Sequence, residues 1–131
     1  YREEAARAGQ PAGAEQLAIR RNVIVAPDHD EAVETARTTL RTYRAALSRD
    51  PRYTEAPVPD APGPAHGFSV GDDEFIAGDG PRVAATIIAQ CQRVGAGHFL
   101  STLNRLSPRD RMMDAYEIYA RDVIPALRQA R

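Results

Sequence analysis

Three polar side chains with complementary chemistry stand close together in the last third of the chain: Ser101, Asn104 and Arg105. The guanidinium of Arg105 could pair with an anionic group of a cofactor or a substrate, and a hydroxyl and an amide could orient that group through hydrogen bonds. We therefore take these three as candidate cofactor-binding or substrate-binding residues. An equally simple structural alternative is that Asn104 and Ser107 cap the helix that follows.

The histidines offer weaker candidates, and no residue stands out as catalytic. His98 precedes Phe99 in an apolar run and is a possible catalytic base, but a single histidine in a buried strand is more often a hydrogen-bonded core residue. His29 and His66 have no second ligand at a metal-binding spacing, so the sequence predicts no metal site. The acidic run Asp72-Asp73-Glu74 matches no calcium loop and is typical of a solvated loop face.

Two further features favour structural roles. Gly78-Asp79-Gly80-Pro81 could cradle a phosphate at the start of a helix, but the Asp79 carboxylate stands where an anion would bind. We interpret the turn as a helix cap, with Pro81 in the first helical turn. Cys91 falls on the apolar stripe of the same helix, and we expect it to be a small buried hydrophobic residue.

The composition is that of one globular domain, with 131 residues, 43% of them hydrophobic and 27% charged. A net charge of −1 provides no basic field for nucleic acid or an anionic membrane surface. No apolar run reaches the roughly 20 residues of a membrane helix, and no signal segment opens the chain. Because Cys91 is the single cysteine, no intramolecular disulfide is possible, and we expect a cytoplasmic protein.

Hydrophobic periodicity predicts the first strand and the helix after it. The β-branched run Val23-Ile24-Val25 favours a strand near 17–26 that is buried on both faces at its end and half exposed at its start. Asp28, followed three places later by Glu31, predicts a helix cap. The helix should run to about residue 47 and bury one stripe: Val33, Ala36, Leu40, Tyr43 and Leu47.

The second half of the chain predicts a loop, a helix, a strand and a final helix. Residues 48–77 show no period and are rich in Pro and Gly, so we expect a mobile loop there that could act as a cover. The next helix should bury Val83, Ile87, Cys91 and Val94 and end at Gly95. A strand near 97–101 follows, and then a last helix over 109–130, which Pro125 should kink or shorten. Its apolar face should comprise Met112, Tyr116, Tyr119, Val123 and Leu127.

These elements predict an α/β fold with parallel βαβ units. Two strands that are both buried on both faces cannot satisfy the edges of their own sheet. The chain also begins at Tyr1, without Met, in an apparent helix over 1–8 that Gly9 ends. We therefore expect either that the chain is a fragment of a longer protein or that copies of it supply strands to one another.

Four blocks of the sequence resemble the bacterial luciferase-like flavin-dependent monooxygenases. The first block is Arg21 to Ala26 with Asp30-Glu31-Ala32, and the second is Ile76 to Val83, followed by a helix. The third is Gly95 to Phe99, and the fourth, Tyr119 to Leu127, is similar to the C-terminal helix of the family. The stretch from Tyr43 to Tyr53 also fits. The resemblance covers most of the chain from Leu17 onward.

The resemblance implies the last βα units of a (β/α)8 barrel, in a single domain that spans 1–131 here. The strand near 17–26 would be strand seven and the strand near 97–101 strand eight. Ser101, Asn104 and Arg105 would then follow the carboxyl end of strand eight, where such barrels hold their active sites. The implied cofactor is FMN or a deazaflavin, and the implied partners are reduced flavin and a small organic substrate, with a homodimer as the assembly.

Two alternatives stay open. One is a deazaflavin-dependent hydride-transfer enzyme of the same family, which needs no oxygen. The other is a non-enzymatic small α/β protein that dimerises by exchanging elements. Because most flavin contacts in the family come from the missing strands, we expect the isolated chain to bind flavin poorly.

Overall fold

The computed structural model of the protein describes residues 1–47, 75–103 and 109–130. They form a parallel sheet of three strands with helices on both of its faces. The elements in chain order are α1 (Arg2–Arg7), β1 (Ala18–Val25), α2 (His29–Leu47), β2 (Phe75–Gly78), α3 (Gly80–Val94), β3 (His98–Leu103), α4 (Arg109–Ile118) and α5 (Ile124–Gln129). A 3-10 turn at Ala14–Gln16 precedes β1, and a π turn at Tyr119–Val123 joins α4 to α5.

The first strand is the centre of the sheet. β1 pairs in parallel with β3 from Ala18–His98 to Val23–Leu103, and with β2 from Asn22–Phe75 to Val25–Gly78. Its last residues are buried on both faces, as the β-branched run predicted, and its first residues are half exposed. The two predicted strands are therefore parallel neighbours, and the α/β class is confirmed.

The strand order β2-β1-β3 does not follow the order of the chain. Val23 and Val25 pack with α3, α4 and the π turn on one face, whereas Ile24 and Ala26 pack with α2 on the other. This is the doubly wound arrangement, in which successive crossover helices cover opposite faces. In a closed barrel all helices lie outside and consecutive strands are neighbours. The barrel unit therefore stays a prediction.

β2 is the element that the sequence did not predict. Residues 75–77 were assigned to the loop over 48–77, but they pair with β1, and the Phe75 and Ile76 side chains are buried. A strand of four residues with small Ala and Gly at its end is too short to show a period of two. The predicted mobile cover over 48–74, with His66 and Asp72-Asp73-Glu74, lies outside the described residues.

The strand predicted near 97–101 begins one residue later and extends to Leu103. It is not buried on both faces, because the alternate residues His98 and Leu100 are exposed. α2 packs over β2 and β1 rather than over β3, which explains this exposure. Within the described ranges, β2 and β3 are the edge strands of the sheet.

The caps of α2 and α3 are the predicted ones. The Asp28 carboxylate accepts the backbone N–H groups of Asp30 and Glu31 at 2.9 and 3.1 Å, and the Asp79 carboxylate accepts that of Arg82 at 2.9 Å. Gly95 ends α3 with a φ of +67°, the left-handed conformation that glycine adopts without strain. The predicted buried stripe of α2 is confirmed at Ala36. Val33 is only half-buried, and Ala32, which was not predicted to belong to the stripe, is buried. The side chains of Leu40, Tyr43 and Leu47 lie outside what the structure describes.

The stripe of α3 departs from the prediction at its end. Val83, Ala84 and Ile87 are buried, but Cys91 is half-buried and Val94 is 42% exposed. Gln90 is buried instead, because the helix turns that side chain toward β1.

Pro125 changes the winding of the last helix without ending it. Proline has no N–H to offer the carbonyl four residues back, and its ring crowds that carbonyl, so the turn before it widens into the π turn. A π turn inserts one residue, which shifts the buried face by one position on its amino-terminal side. Ala115 and Ile118 are buried there, whereas Tyr116, predicted to be buried, is 48% exposed. Tyr119, Val123 and Leu127 pack as predicted.

Candidate functional site

Ser101 lies near the carboxyl end of β3, on the face of the sheet that α3 and the π turn cover. Its hydroxyl shares a hydrogen bond with the phenol of Tyr119, the first residue of the π turn. Burial raises the pKa of Tyr119, and the hydrogen bond with Ser101 opposes that rise. Tyr119 is therefore a neutral phenol at pH 7 and can donate or accept one hydrogen bond at this position.

Of the other predicted site residues, His98 lies in the described part of the chain, and it is not brought to Ser101. Asn104 and Arg105 lie outside the described residues. His98 lies at the opposite, amino end of β3 and is exposed, so the expectation of a buried core histidine is wrong. Its backbone N–H donates to the Leu17 carbonyl at 3.2 Å, and its side chain lies near Glu15, whose pKa the imidazole helps to lower.

A small crevice opens where β1 ends. The helix that follows β1 packs on one face of the sheet, and the helix that follows β3 packs on the other. The carboxyl ends of these two neighbouring strands therefore form a topological switch point, which is where doubly wound sheets bind ligands. The crevice has a volume of about 30 Å³ and is lined by the end of β1, by Glu31 and Thr35 of α2, and by Arg111 and Asp114 of α4. An ion pair of 2.8 Å between Arg111 and Glu31 joins the two helices there.

The N-termini of α2 and α3 at this edge already hold carboxylates. Asp28 caps α2 and Asp79 caps α3, so each carboxylate stands where a phosphate would bind. A third carboxylate, that of Asp122, lies against Gly80 in the first turn of α3: a Cβ at Gly80 would be 2.8 Å from its Oδ2. The expectation that Asp79 caps the helix is confirmed.

Asp122 is tied to its neighbour in sequence. The Arg121 guanidinium donates two hydrogen bonds of 2.7 Å to the Asp122 carboxylate, and these lower its pKa. The carboxylate is therefore ionised at pH 7 and is paired with the Arg121 guanidinium beside the start of α3.

The crevice at the switch point is too small to hold a flavin. Small-molecule sites typically have volumes of about 300–1,000 Å³, and the crevice at the switch point is an order of magnitude smaller than that range. At the starts of α2 and α3, the Asp28 and Asp79 carboxylates occupy the places where the phosphate of FMN would bind.

A second polar pair, Arg21 and Gln90, lies on the same face of the sheet as Ser101. Arg21, the register partner of Ser101, donates from Nε to Oε1 of the buried Gln90 at 3.1 Å. The amide nitrogen of Gln90 is buried and has no hydrogen-bond partner. Cys91 lies beside this pair; burial raises the pKa of its thiol, and the Arg21 guanidinium opposes that rise. The thiol is thus protonated at pH 7 and is not an activated nucleophile.

Sequence reasoning missed Glu31, Arg111 and Arg21 as members of polar pairs. Glu31 was interpreted only as part of a helix cap, and its partner Arg111 is 80 residues away in the chain. No spacing rule predicts a contact of that separation. Within the described ranges, no group of three or more His, Cys, Asp or Glu side chains could hold a metal ion, and no helix there is long and apolar enough to cross a membrane.

Comparison with known proteins adds no relative: no protein-family model matches the chain, and no curated protein is significantly similar to it.

Proposed function

We propose that the chain is the C-terminal part of a cytoplasmic luciferase-like flavin-dependent monooxygenase. The proposal rests on the four sequence blocks that resemble this family. Each block spans the connection between two consecutive elements of the fold. The first block covers the end of β1 and the start of α2, and the second covers β2 and the start of α3. The third covers the cap of α3 and the start of β3, and the fourth covers the π turn and α5. The observation that carries it is the parallel pairing of β1 with β3, the strands proposed as seven and eight.

The proposal assigns a limited role to the described residues. Reduced flavin, when bound, would supply the oxygen chemistry, and the resemblance implies that most of its binding residues belong to barrel strands that this chain lacks. The contribution of this chain would be at the carboxyl ends of β1 and β3, where Ser101, Asn104 and Arg105 would orient the cofactor or a small organic substrate. Tyr119 holds the Ser101 hydroxyl in one orientation through their hydrogen bond.

The proposed barrel is incompatible with the pairing of β2 on β1. A strand has two edges, and β3 pairs along one edge of β1 while β2 pairs along the last four residues of the other. In a barrel that second edge belongs to strand six. β2 would therefore have to leave β1 in the full-length enzyme. A structure of the full-length protein in which β2 stays on β1 would remove the barrel from the proposal.

The decisive experiment is a flavin titration of the full-length protein encoded by the native gene. We expect saturable changes in flavin fluorescence on addition of FMN, and a much weaker response from the isolated 131-residue chain. A parallel titration with a 5-deazaflavin, together with oxygen consumption in the presence of reduced cofactor, separates the monooxygenase from the hydride-transfer alternative. Full-length protein that responds to neither cofactor contradicts the proposal.

The second candidate is a non-enzymatic α/β protein that dimerises by exchanging elements. It is favoured by the outer edges of β2 and β3, which pair with no other strand among the described residues. Light scattering coupled to size-exclusion chromatography tests it on the chain alone. A dimer whose dissociation requires unfolding, together with a native gene no longer than this chain, supports exchange over the flavoenzyme.

A further inference from the structure

A cavity formed by the described residues lies at the end of the sheet opposite the candidate site. Its volume is about 600 Å³, within the range of about 300–1,000 Å³ that is typical of small-molecule sites. Four separate elements supply its walls: the 3-10 turn before β1, the last turns of α3, the first residues of β3, and α5.

The walls of this cavity are apolar, and its charged groups are at the mouth. Ile87, Ile88, Phe99 and Leu127 line the interior together with the Cys91 thiol. Cys91 is protonated at pH 7, as burial raises its pKa. An occupant of the interior therefore meets hydrocarbon and one neutral sulfur, and burying a charged group there would be unfavourable.

The mouth carries a carboxylate that stays ionised. Glu15 is exposed and borders the cavity together with His98. Hydrogen bonds from its own backbone N–H and from the Gln16 side chain lower the pKa of Glu15. An anionic group placed beside the Glu15 carboxylate would be repelled, whereas an N–H, an O–H or an amine of the ligand could donate to that carboxylate.

We infer that this cavity is a binding site for a small, uncharged or cationic, predominantly apolar molecule that presents one hydrogen-bond donor to Glu15. The site is independent of the proposed flavin chemistry, since it lies at the amino ends of the strands and shares none of the candidate residues at their carboxyl ends. The chemical class is an aromatic or aliphatic amine or alcohol whose hydrocarbon part fills the space beside Cys91.

Fluorescence titration of the native protein with N-phenyl-1-naphthylamine tests this inference, because the probe is apolar and carries one N–H donor. We expect saturable binding of one probe per chain. Leu127→Arg places a charge inside the cavity and should raise the dissociation constant about tenfold or more. The matched control is Leu100→Arg: Leu100 is exposed on the other face of β3, outside the cavity, and that variant should bind like the wild type.

Two further measurements keep the result interpretable if Leu127→Arg does not fold. In the wild type, saturating probe should slow the alkylation of Cys91 several-fold, because the thiol lines the occupied space. Glu15→Gln, at an exposed residue, should strengthen the binding of an anionic naphthalene sulfonate probe, since the repelling carboxylate is removed.

The inference is overturned if the naphthylamine signal does not saturate, if Leu100→Arg weakens binding as much as Leu127→Arg, or if the probe leaves the alkylation rate of Cys91 unchanged. Probe binding that occurs only together with self-association of the chain would assign the cavity to a second copy and would equally contradict a small-molecule site.

Discussion

The hydroxyl of Ser101 and the phenol of Tyr119 share a hydrogen bond that links the edge strand β3 to the first residue of the π turn. The two residues are 18 positions apart in the chain, and both are partly buried. The bond therefore joins the strand that carries the candidate site to the helix whose winding Pro125 alters.

Removal of this hydrogen bond should destabilise the protein measurably. Tyr119→Phe leaves the half-buried Ser101 hydroxyl without its partner, and we expect the free energy of unfolding to fall by about 1 kcal/mol. Urea denaturation followed by circular dichroism measures the change. The control is Tyr116→Phe in the preceding turn, where the ring is 48% exposed and no effect is expected. Equal effects of the two substitutions would show that the Ser101 bond contributes nothing.

Alkaline pH should reveal the raised pKa of Tyr119. The ordinary pKa of tyrosine is 10.0, and burial raises the folded-state value above it. The folded state therefore keeps the phenolic proton at a pH at which the unfolded chain has released it. The resulting contribution to stability is complete below pH 10.0 and is lost as the pH rises through the folded-state pKa.

The measurement is the free energy of unfolding at several pH values between 8 and about 11. Wild type and Tyr116→Phe should both lose stability over the upper part of this range, and Tyr119→Phe should lose less. A decline of the same steepness in Tyr119→Phe would mean that another group causes it; Cys91, whose pKa is also raised by burial, is the first to examine, through Cys91→Ala.

The cap of α3 gives a prediction with a close chemical control. Asp79→Ala removes the acceptor for the Arg82 backbone N–H and should cost about 1 kcal/mol of stability. Asp79→Asn retains a side-chain oxygen at the same place and should cost much less. If the two variants melt at the same temperature, the stabilisation comes from the carboxylate charge at the helix start and not from the hydrogen bond.

The contact between Gly80 and Asp122 predicts a steric effect that can be reversed. A Cβ at Gly80 would lie 2.5 Å from the Asp122 Cβ, closer than real atoms approach, so Gly80→Ala must push α3 away from the π turn. We expect a loss of about 1–3 kcal/mol, the usual cost of overpacking. Asp122→Gly removes the opposing atom, so the double variant should be more stable than the sum of the two single losses; strict additivity would contradict the contact.

Local signals along the chain were sufficient for most elements of the secondary structure. The β-branched run before Pro27 determines the end of β1 because such residues favour a pleated, buried backbone. Asp28, Asp79 and Gly95 determine where α2 and α3 begin or end, since caps act on backbone groups within three residues of themselves. These interactions are local in the chain, and for that reason the sequence by itself predicts them.

The tertiary structure decided what local signals cannot carry. The strand order β2-β1-β3 depends on which edge of β1 each later strand pairs with. The segment Phe75–Gly78 is too short for its hydrophobic pattern to predict a strand. The partners of Glu31 and Arg21 lie 80 and 69 residues away, so only the packing of helices on the sheet brings them together. The face of the last helix shifted by one residue because a π turn formed before Pro125, a change of winding that an assumed period of 3.6 residues excludes.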